Sequence, residues 1–424
     1  MLIGFDYIDG QLHFSNTSVE RLAQSYKTPL YVYSEPIIAD RYDSYQRGLQ
    51  GRKAQICFAV KANSNLSVIR SLALRGAGAD IVSGGELYRA MKAGVAASKI
   101  VFSGVGKTDD EINQALAADI MLFSVESVAE LDRLSAIAKE RKTKARISLR
   151  INPDVDAKTH PYISTGLESN KFGISYKQFN SVIDHTLHLE GIDLCGIGFH
   201  IGSQLTDLSG FEEAARRGKR LAGQLQSRIG NLQYFDAGGG LGIQYRDEKP
   251  TQPEDYVKLM LSILDFDDTT VLFEPGRSIV GPAGILITRI LYSKENESKR
   301  FYICDAAMND LIRPSLYSAY HEVYSADEKL AASISNHTGQ IADLVGPVCE
   351  TGDFLAKDRH LPQWVAGDLA VVATTGAYGF SMSSNYNTRP RPAEVLIRTD
   401  GRVDLVRGRE SYDDLVASEV ELLQ

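Results

Sequence analysis

Lys61 follows directly after an apolar run and is itself followed by small and polar residues, in the segment FAVKAN. Residues 56–60 predict a short buried strand, so the lysine ammonium emerges at the strand's carboxyl end. A lysine there can lose its proton and attack a carbonyl, the first requirement for holding an aldehyde cofactor as a Schiff base. Most lysines that follow a strand are simply solvated, so the other polar segments decide between the two interpretations.

Glycines at 238–240 come directly after another apolar run, in DAGGGLG. Consecutive glycines let backbone N–H groups approach an anion closely, and a following helix is expected to add its dipole. A simple tight turn is an equal alternative. The spacing does not fit the fingerprint of a dinucleotide site, so the phosphate of a small cofactor is the better interpretation.

Two further apolar runs end in polar residues. Glu274, in FEPGR, can pair with a protonated pyridine nitrogen and keep such a ring an electron sink, or it can form an ion pair with Arg277. His200, in FHIGSQ, can stack its imidazole on an aromatic ring, and a satisfied core histidine is equally plausible.

The last third of the chain adds three smaller clusters. Arg313 and Tyr317 lie one helical turn apart and suit a carboxylate ligand. Cys349 and Glu350 place a thiol and an acid side by side, an arrangement that is more often structural than catalytic. Tyr378, in GAYG, is by itself more typical of a core residue.

A repeated pattern of a short apolar run, a turn and an amphipathic stretch begins near residue 54. It predicts α/β class with a (β/α)8 barrel similar to a TIM barrel, in which function sits on the loops after the strands. A doubly wound sheet is the competing architecture. The predicted barrel strands are 56–60, 80–82, 100–102, 120–123, 145–151, 192–199, 232–236 and 270–274.

After residue 284 the pattern changes to strands separated by turns rather than by regular helices. A mostly β domain is therefore predicted at 281–424, and residues 1–29, with a hairpin signal at Asp9-Gly10, are expected to join it. The barrel is assigned to residues 30–280. The predicted strands of the second domain are 285–292, 301–304, 364–372, 394–397 and 403–406.

The overall composition is that of an ordinary globular protein. Its 424 residues are 43% hydrophobic and 24% charged, with a net charge of −8, which argues against nucleic acid or an anionic membrane as a general partner. The cysteines, Cys57, Cys195, Cys304 and Cys349, are too scattered for a disulfide framework or a metal site. With no evident signal peptide, a cytoplasmic location is expected.

Together these segments resemble the fold-type III pyridoxal-phosphate decarboxylases, in the expected order from about residue 31 to 397. VKAN at 60–63 and EPGR at 274–277 are shared widely in that family. The segments SNKFG at 169–173, 308–317 and CETGD at 349–353 resemble specifically its diaminopimelate-decarboxylating members. The resemblance implies pyridoxal 5'-phosphate as cofactor, no metal, and meso-2,6-diaminopimelate as substrate, converted to L-lysine and carbon dioxide.

The resemblance also implies a role for each matched residue. Lys61 forms the Schiff base, His200 lies against the pyridine face, and Glu274 binds the pyridine nitrogen. Cys349 delivers a proton to the α-carbon and, with Glu350, comes from the partner subunit of a homodimer. The other implied cofactor-binding residues are Ser203, Gly239, Gly240, Gly276, Arg277 and Tyr378. The implied substrate-binding residues are Arg277, Arg313, Tyr317, Glu350 and Tyr378, and residues 156–162 are a candidate for a closing loop.

Several alternatives stay open from the sequence. A sister decarboxylase for arginine or ornithine is disfavoured by Arg313 and Glu350, because those substrates lack a distal carboxylate, whereas carboxynorspermidine is a serious competitor. An alanine racemase pairs the ring nitrogen with arginine, unlike Glu274. A non-catalytic regulatory homologue is disfavoured by Lys61, Glu274 and Cys349, and an NAD-dependent oxidoreductase ranks last.

Overall fold

The computed structural model describes residues 2–153, 171–297, 299–335 and 339–423. By their internal contacts these residues form two compact units, one of residues 1–39, 244–247 and 280–424, and the other of residues 40–243 and 248–279. We call the first the β unit and the second the barrel unit. The domain boundaries predicted at 29/30 and 280/281 stay a prediction.

The strands alternate with helices through the barrel unit and follow one another more closely in the β unit. They are β1 (Phe5–Ile8), β2 (Gln11–Phe14), β3 (Thr17–Ser18), β4 (Leu30–Ser34), β5 (Ala54–Ala59), β6 (Gly78–Ile81), β7 (Ile100–Phe102), β8 (Leu122–Val125), β9 (Ala145–Asn152), β10 (Ile174–Ser175), β11 (Ile192–Gly198), β12 (Tyr234–Asp236), β13 (Thr270–Phe273), β14 (Gly284–Glu295), β15 (Arg300–Cys304), β16 (Val323–Ser325), β17 (Gln340–Val345), β18 (Phe354–Leu361), β19 (Leu369–Val372), β20 (Ala393–Ile397) and β21 (Val403–Arg407).

The helices of the barrel unit follow its strands as the repeated pattern predicts. The helices of the chain are α1 (Val19–Tyr26), α2 (Glu35–Leu49), α3 (Leu66–Leu74), α4 (Gly84–Lys92), α5 (Asp109–Ala118), α6 (Val128–Glu140), α7 (Phe179–Leu187), α8 (Ser209–Ile229), α9 (Pro253–Ile263), α10 (Arg277–Val280), α11 (Arg313–Tyr317), α12 (Glu328–Ser335) and α13 (Tyr412–Val420).

The barrel unit contains a closed parallel barrel. Strands β5, β6, β7, β8, β9, β11, β12 and β13 pair in that order, β13 pairs back with β5, and short β10 adds to β9. The predicted (β/α)8 barrel is confirmed, and each predicted barrel strand overlaps an observed one. Apolar side chains fill its interior, in a cluster of Cys57, Val101, Met121, Leu122, Cys195 and Leu272.

Polar caps fix the turns from strand to helix at the mouth of the barrel. The side-chain oxygens of Ser83, Thr108 and Ser127 accept hydrogen bonds from backbone N–H groups in the first turns of α4, α5 and α6. At Gly198 an added Cβ would lie 2.5 Å from Cβ of Asp236, so glycine lets β11 and β12 approach closely. These contacts fix the carboxyl ends of β6, β7, β8, β11 and β12, where polar side chains follow the strands.

The β unit is built on a largely antiparallel sheet. Its strand order is β18-β17-β15-β14-β4-β20-β21, and β19 pairs with both β14 and β16. The predicted hairpin is confirmed as β1 and β2, which β3 extends. Strand β4 belongs to this sheet, although the sequence assigned residues 30–34 to the barrel range. The predicted strand 364–372 is shorter, because Gly367 with φ of +103° turns the chain before β19.

Two further observations bear on the sequence predictions. Of the motif at 169–173, residues 171–173 are described, whereas Ser169, Asn170 and the candidate closing loop at 156–162 lie outside the described residues. No helix among the described residues is long and apolar enough to cross a membrane.

Candidate active site

A cavity of about 400 Å³ opens at the mouth of the barrel, where the strands' carboxyl ends meet. In barrels of this kind the active site occupies that face. Of the residues singled out from the sequence, Lys61, His200 and Glu274 line the cavity together. The other lining residues are Val82, Ser103, Gly104, Val105, Gly106, Ser124, Arg150, Phe172, Phe199 and Asp236.

Lys61 lies in a 3-10 turn directly after β5, and its amine is held by an acid. Lys61 Nζ is 2.8 Å from Oδ2 of Asp80, whose side chain is completely buried on β6, whereas the lysine side chain is 37% exposed. The other oxygen, Asp80 Oδ1, is buried and has no hydrogen-bond partner among the described residues. The amine is therefore anchored inside the cavity and still accessible to a ligand.

Glu274 and Asp236 end neighbouring strands and share a proton. The Glu274 carboxyl donates a hydrogen bond to Asp236, and Ser103 Oγ donates to Glu274 Oε1 at 3.5 Å. Burial, together with the charges of Asp236 and Asp80, raises the pKa of Glu274 well above its ordinary value. Burial also raises the pKa of Asp236 to about 6. The protonated form of Glu274 is therefore favoured over that of Asp236. No ion pair joins Glu274 to Arg277 in the part of the chain that the structure describes, and an Arg277 terminal nitrogen donates to Ser203 Oγ at 3.0 Å.

His200 follows β11, and the glycine loop fixes its ring. The Gly239 N–H donates to His200 Nδ1 at 3.1 Å, so the neutral ring carries its proton on Nε2. Desolvation, with the positive charges of Arg150 and Lys61, lowers the pKa of His200 well below its ordinary value. The ring is thus a neutral, oriented aromatic surface at the cavity.

The glycine loop after β12 is packed too closely for side chains. An added Cβ would lie 2.1 Å from the carbonyl oxygen of Glu274 at Gly239, and 2.3 Å from that of Gly202 at Gly240, whose φ is +113°. The expected helix after this loop is absent, because residues 241–252 form no helix and Leu241 bridges to Leu205 instead. The four-residue helix α10 begins just after Gly276, whose added Cβ would meet Ala62 at 2.9 Å.

Arg150, which is partly buried, forms an ion pair with buried Glu126 at the same mouth. Arg150 Nη1 lies 2.7 Å from Glu126 Oε1, and the guanidinium carbon lies 5.2 Å from the centre of the Phe172 ring. Glu126 also accepts hydrogen bonds from the N–H groups of Gly104 and Gly173. This acid joins the loops after β7, β8 and β9.

In the β unit, α11 places Arg313 and Tyr317 on one side of a turn as predicted. Arg313 is buried, and its guanidinium carbon lies 5.9 Å from the centre of the Tyr317 ring and 5.1 Å from that of Tyr245. Ser315, between them in sequence, donates a hydrogen bond to the Gly352 carbonyl. The helix is thus tied to the loop that carries the thiol.

That loop, between β17 and β18, exposes Cys349 and Glu350. Cys349 is the exposed cysteine, while Cys57, Cys195 and Cys304 are buried. Its N–H bonds to Asn387 Oδ1 at 3.3 Å, and Glu350 accepts a hydrogen bond from the Tyr386 hydroxyl at 3.2 Å. The loop turn is held from inside by Asp353, whose carboxylate accepts the N–H groups of Met308 and Val348 at 2.7 Å.

Tyr378 occupies the loop after β19 with φ of +56°, a left-handed conformation that is uncommon for a bulky residue. Next to it, an added Cβ at Gly379 would lie 2.4 Å from the Thr375 carbonyl oxygen. The loop packing therefore dictates the position of this phenol.

Several residues at or beside the cavity were not predicted from the sequence, above all Asp80, Arg150 and Asp236, which interact with the predicted residues. The sequence contained a feature that could have identified Asp80 and Asp236. Asp80 and Asp236 lie inside predicted buried strands, where an ionisable side chain needs a partner. Among the described residues no group of His, Cys, Asp and Glu side chains is arranged to hold a metal ion.

Comparison with known proteins identifies the family. Residues 36–281 match the family described as pyridoxal-dependent decarboxylase, pyridoxal binding domain. The chain is 49% identical over 421 residues to the diaminopimelate decarboxylase of Pseudomonas aeruginosa, and the match covers 99% of each chain. This chain belongs to the diaminopimelate decarboxylases.

Other diaminopimelate decarboxylases agree over the full length. The Aquifex aeolicus enzyme is 46% identical over 418 residues, covering 98% of this chain and 97% of the relative. The crystal structure of the Helicobacter pylori enzyme complexed with L-lysine superposes with a TM-score of 0.89 at 44% identity, covering 95% of this chain and 100% of that one. The fold and the order of motifs are therefore those of the family.

The barrel residues fit pyridoxal phosphate, the cofactor of this family. An anchored but accessible lysine amine suits its aldehyde, and a buried carboxyl that retains a proton suits its ring nitrogen. Side chains at Gly239 and Gly240 would collide with the backbone carbonyls of Glu274 and Gly202, so this loop is a cradle made only of backbone, which suits a phosphate held by backbone N–H groups.

Proposed function

We propose that this enzyme decarboxylates meso-2,6-diaminopimelate to L-lysine and carbon dioxide, the last step of lysine biosynthesis. The observation that carries the proposal is the convergence of Lys61, His200 and Glu274 on one cavity at the barrel mouth. The names of the relatives support the substrate, and the H. pylori relative was crystallised with L-lysine.

The cofactor is held by residues from several loops. Lys61 would hold it covalently, His200 would contact its ring, and Glu274 would pair with its ring nitrogen. The 2.8 Å contact with Asp80 keeps the Lys61 amine in the cavity when it is not attached. The phosphate is bound by Ser203, Gly239, Gly240, the backbone of Gly276 and Arg277, and the Tyr378 hydroxyl.

When bound, pyridoxal phosphate supplies an electron sink for the electron pair of the bond to the departing carboxylate. Glu274 would stabilise that sink by pairing with the ring nitrogen, because burial and the neighbouring acids raise the pKa of its carboxyl and favour a form that holds a proton there. Neutral His200, fixed through Nδ1 by Gly239, adds no competing positive charge at the ring face.

Substrate specificity depends on the groups that bind the distal carboxylate and the distal amine of diaminopimelate, which together form its second amino acid centre. Arg277, Arg313 and Tyr317 bind the carboxylate that survives the reaction, and Tyr378 assists. Glu350 recognises the distal amine. A substrate without that centre leaves these charged groups unpaired, which disfavours arginine and ornithine.

Cys349 delivers the proton that replaces the lost carboxylate, and we infer that it acts in the site of a partner subunit. The exposed position of Cys349 and Glu350 on the loop between β17 and β18 supports this assignment. The active unit is then a homodimer with shared sites. Scattered, unpaired cysteines support a reducing compartment, so we place the enzyme in the cytoplasm.

Turnover of candidate substrates tests the proposal. The purified protein, supplied with pyridoxal phosphate, is incubated separately with meso-diaminopimelate, carboxynorspermidine, ornithine and arginine, and amine products and carbon dioxide are measured. L-Lysine and carbon dioxide in equal amounts from diaminopimelate support it. Decarboxylation of carboxynorspermidine without lysine formation from diaminopimelate contradicts the assigned substrate and leaves the family intact.

A further inference from the structure

A buried histidine contacts the arginine that we assign to the substrate carboxylate. Arg313 Nε donates to His321 Nε2 at 3.3 Å, and both side chains are buried in the β unit. His321 lies eight residues after Arg313, beyond the end of α11. The segment that carries Arg313 and Tyr317 thus folds back so that its own continuation supports the guanidinium.

The hydrogen bonds of His321 define its tautomer. His321 Nδ1 lies 2.9 Å from the carbonyl oxygen of Ala373, which can only accept, so Nδ1 carries the proton. Nε2 is then a lone-pair acceptor, as the N–H donor of Arg313 requires. The ring is therefore a neutral acceptor that links the guanidinium to the backbone at the end of β19.

Aromatic rings complete the surroundings of both side chains. The Tyr245 ring meets His321 edge to face at 5.3 Å between centres and lies 5.1 Å from the Arg313 guanidinium carbon. Arg359 reaches the backbone carbonyl of His321 and pairs with Glu322. With Nε directed at His321, a carboxylate meets the end of the guanidinium that carries the two terminal nitrogens.

We propose that His321 is a positioning residue for substrate specificity, which orients Arg313 toward the surviving carboxylate by accepting its Nε–H. The inference rests on the proposed function, since Arg313 matters only if that carboxylate is bound. An arginine side chain has many rotamers, and binding is stronger when its direction is fixed beforehand.

Two amide substitutions distinguish the role of Nε2, which accepts from Arg313, from that of Nδ1, which donates to Ala373. His321→Gln places an acceptor near the position of Nε2, whereas His321→Asn keeps a donor near Nδ1 and loses the acceptor for Arg313. We expect His321→Asn to raise KM for meso-diaminopimelate and to weaken inhibition by L-lysine, each by about tenfold, with a smaller change in kcat. His321→Gln should stay close to wild type.

A double-mutant cycle shows whether the effect passes through Arg313. In an Arg313→Ala background, adding His321→Asn should leave KM nearly unchanged. Urea unfolding and the visible absorbance of the bound cofactor check that each variant is folded and loaded. An unchanged KM in His321→Asn, equal losses in the Asn and Gln variants, or an undiminished effect without Arg313 would each overturn the inference.

The wild-type protein serves as the separate test of the underlying function. If it forms no lysine from diaminopimelate, the proposed function fails, and the role of His321 in binding that carboxylate fails with it. If wild type is active and the variants behave alike, only the inference about His321 is wrong.

Discussion

Glu274 donates a hydrogen bond to Asp236 at the barrel mouth, so two buried carboxyl groups share one proton beside Lys61 and His200. Two carboxylates in contact cannot easily both be ionised in a desolvated site. The proton is therefore stored on the residue that we assign to the pyridine nitrogen. Asp236 keeps the proton there, because its charge and its hydrogen bond raise the pKa of Glu274. No role for Asp236 was predicted from the sequence.

Replacing Glu274 by glutamine should remove the proton donor and leave the shape of the site nearly unchanged. We expect kcat to fall by about a hundredfold, because the amide can donate to Asp236 but cannot transfer a proton to the ring nitrogen or pair with its charge. Cofactor absorbance should persist. Steady-state kinetics beside an exposed control, Glu419→Gln, measure the effect, and a kcat near wild type contradicts the assignment.

A methyl group at Gly239 should disturb the phosphate cradle. Gly239→Ala places Cβ against the Glu274 carbonyl, and we expect a loss of about 1 to 3 kcal/mol in unfolding free energy together with weaker cofactor binding. Gly223→Ala is the matched control, because nothing lies within 4 Å of an added Cβ there and Gly223 is at an exposed position of α8. Titration with pyridoxal phosphate and urea unfolding measure both. Equal affinity of the two variants for pyridoxal phosphate would contradict a role of the Gly239 loop in binding the phosphate.

Removing the Cys349 thiol should slow product formation more than it affects cofactor binding. If Cys349 serves the partner's site, then mixing Cys349→Ala with Lys61→Ala subunits restores complete sites in mixed dimers. Random exchange in equal amounts predicts about a quarter of wild-type activity. Activity no higher than the sum of the separate variants contradicts shared sites. Loss of cofactor from Cys349→Ala alone makes the thiol structural.

His200 should make stability depend on pH. Its pKa is lowered by desolvation, Arg150 and Lys61, so below its ordinary value of about 6.5 the unfolded chain takes up a proton that the folded protein excludes. Stability of the cofactor-free protein should therefore fall as pH falls below about 6.5, and less steeply in His200→Gln. Urea midpoints across this range test it, with exposed His188→Gln as control. Equal slopes in all three proteins contradict the prediction.

The barrel could be predicted from the sequence because its parallel strands read as short apolar runs at regular spacing. Strands β17 and β18 were missed, since β18 carries Lys357, Asp358 and Arg359 in succession and resembles a loop. Strand β4 was assigned to the barrel range, because its fully buried sequence does not reveal which sheet it joins.

The sequence predicts which residues of the site lie at strand ends, but it does not predict which side chains contact each other. Lys61, His200 and Glu274 each follow an apolar run, which the barrel architecture brings to one face. Their partners come from other strands, as Asp80 does for Lys61 and Asp236 for Glu274. These pairs form only when the sheet closes into a barrel. The sequence therefore predicts that the acids are buried, but it does not predict which residues they contact.

The decisive measurement is the rate of L-lysine formation from meso-diaminopimelate by wild type and by Lys61→Ala. Exposed Lys92→Ala is the control. We expect equal amounts of lysine and carbon dioxide from wild type and control, whereas a folded Lys61→Ala protein should show no turnover and no covalently attached cofactor. A Lys61→Ala protein that retains most activity would contradict this expectation.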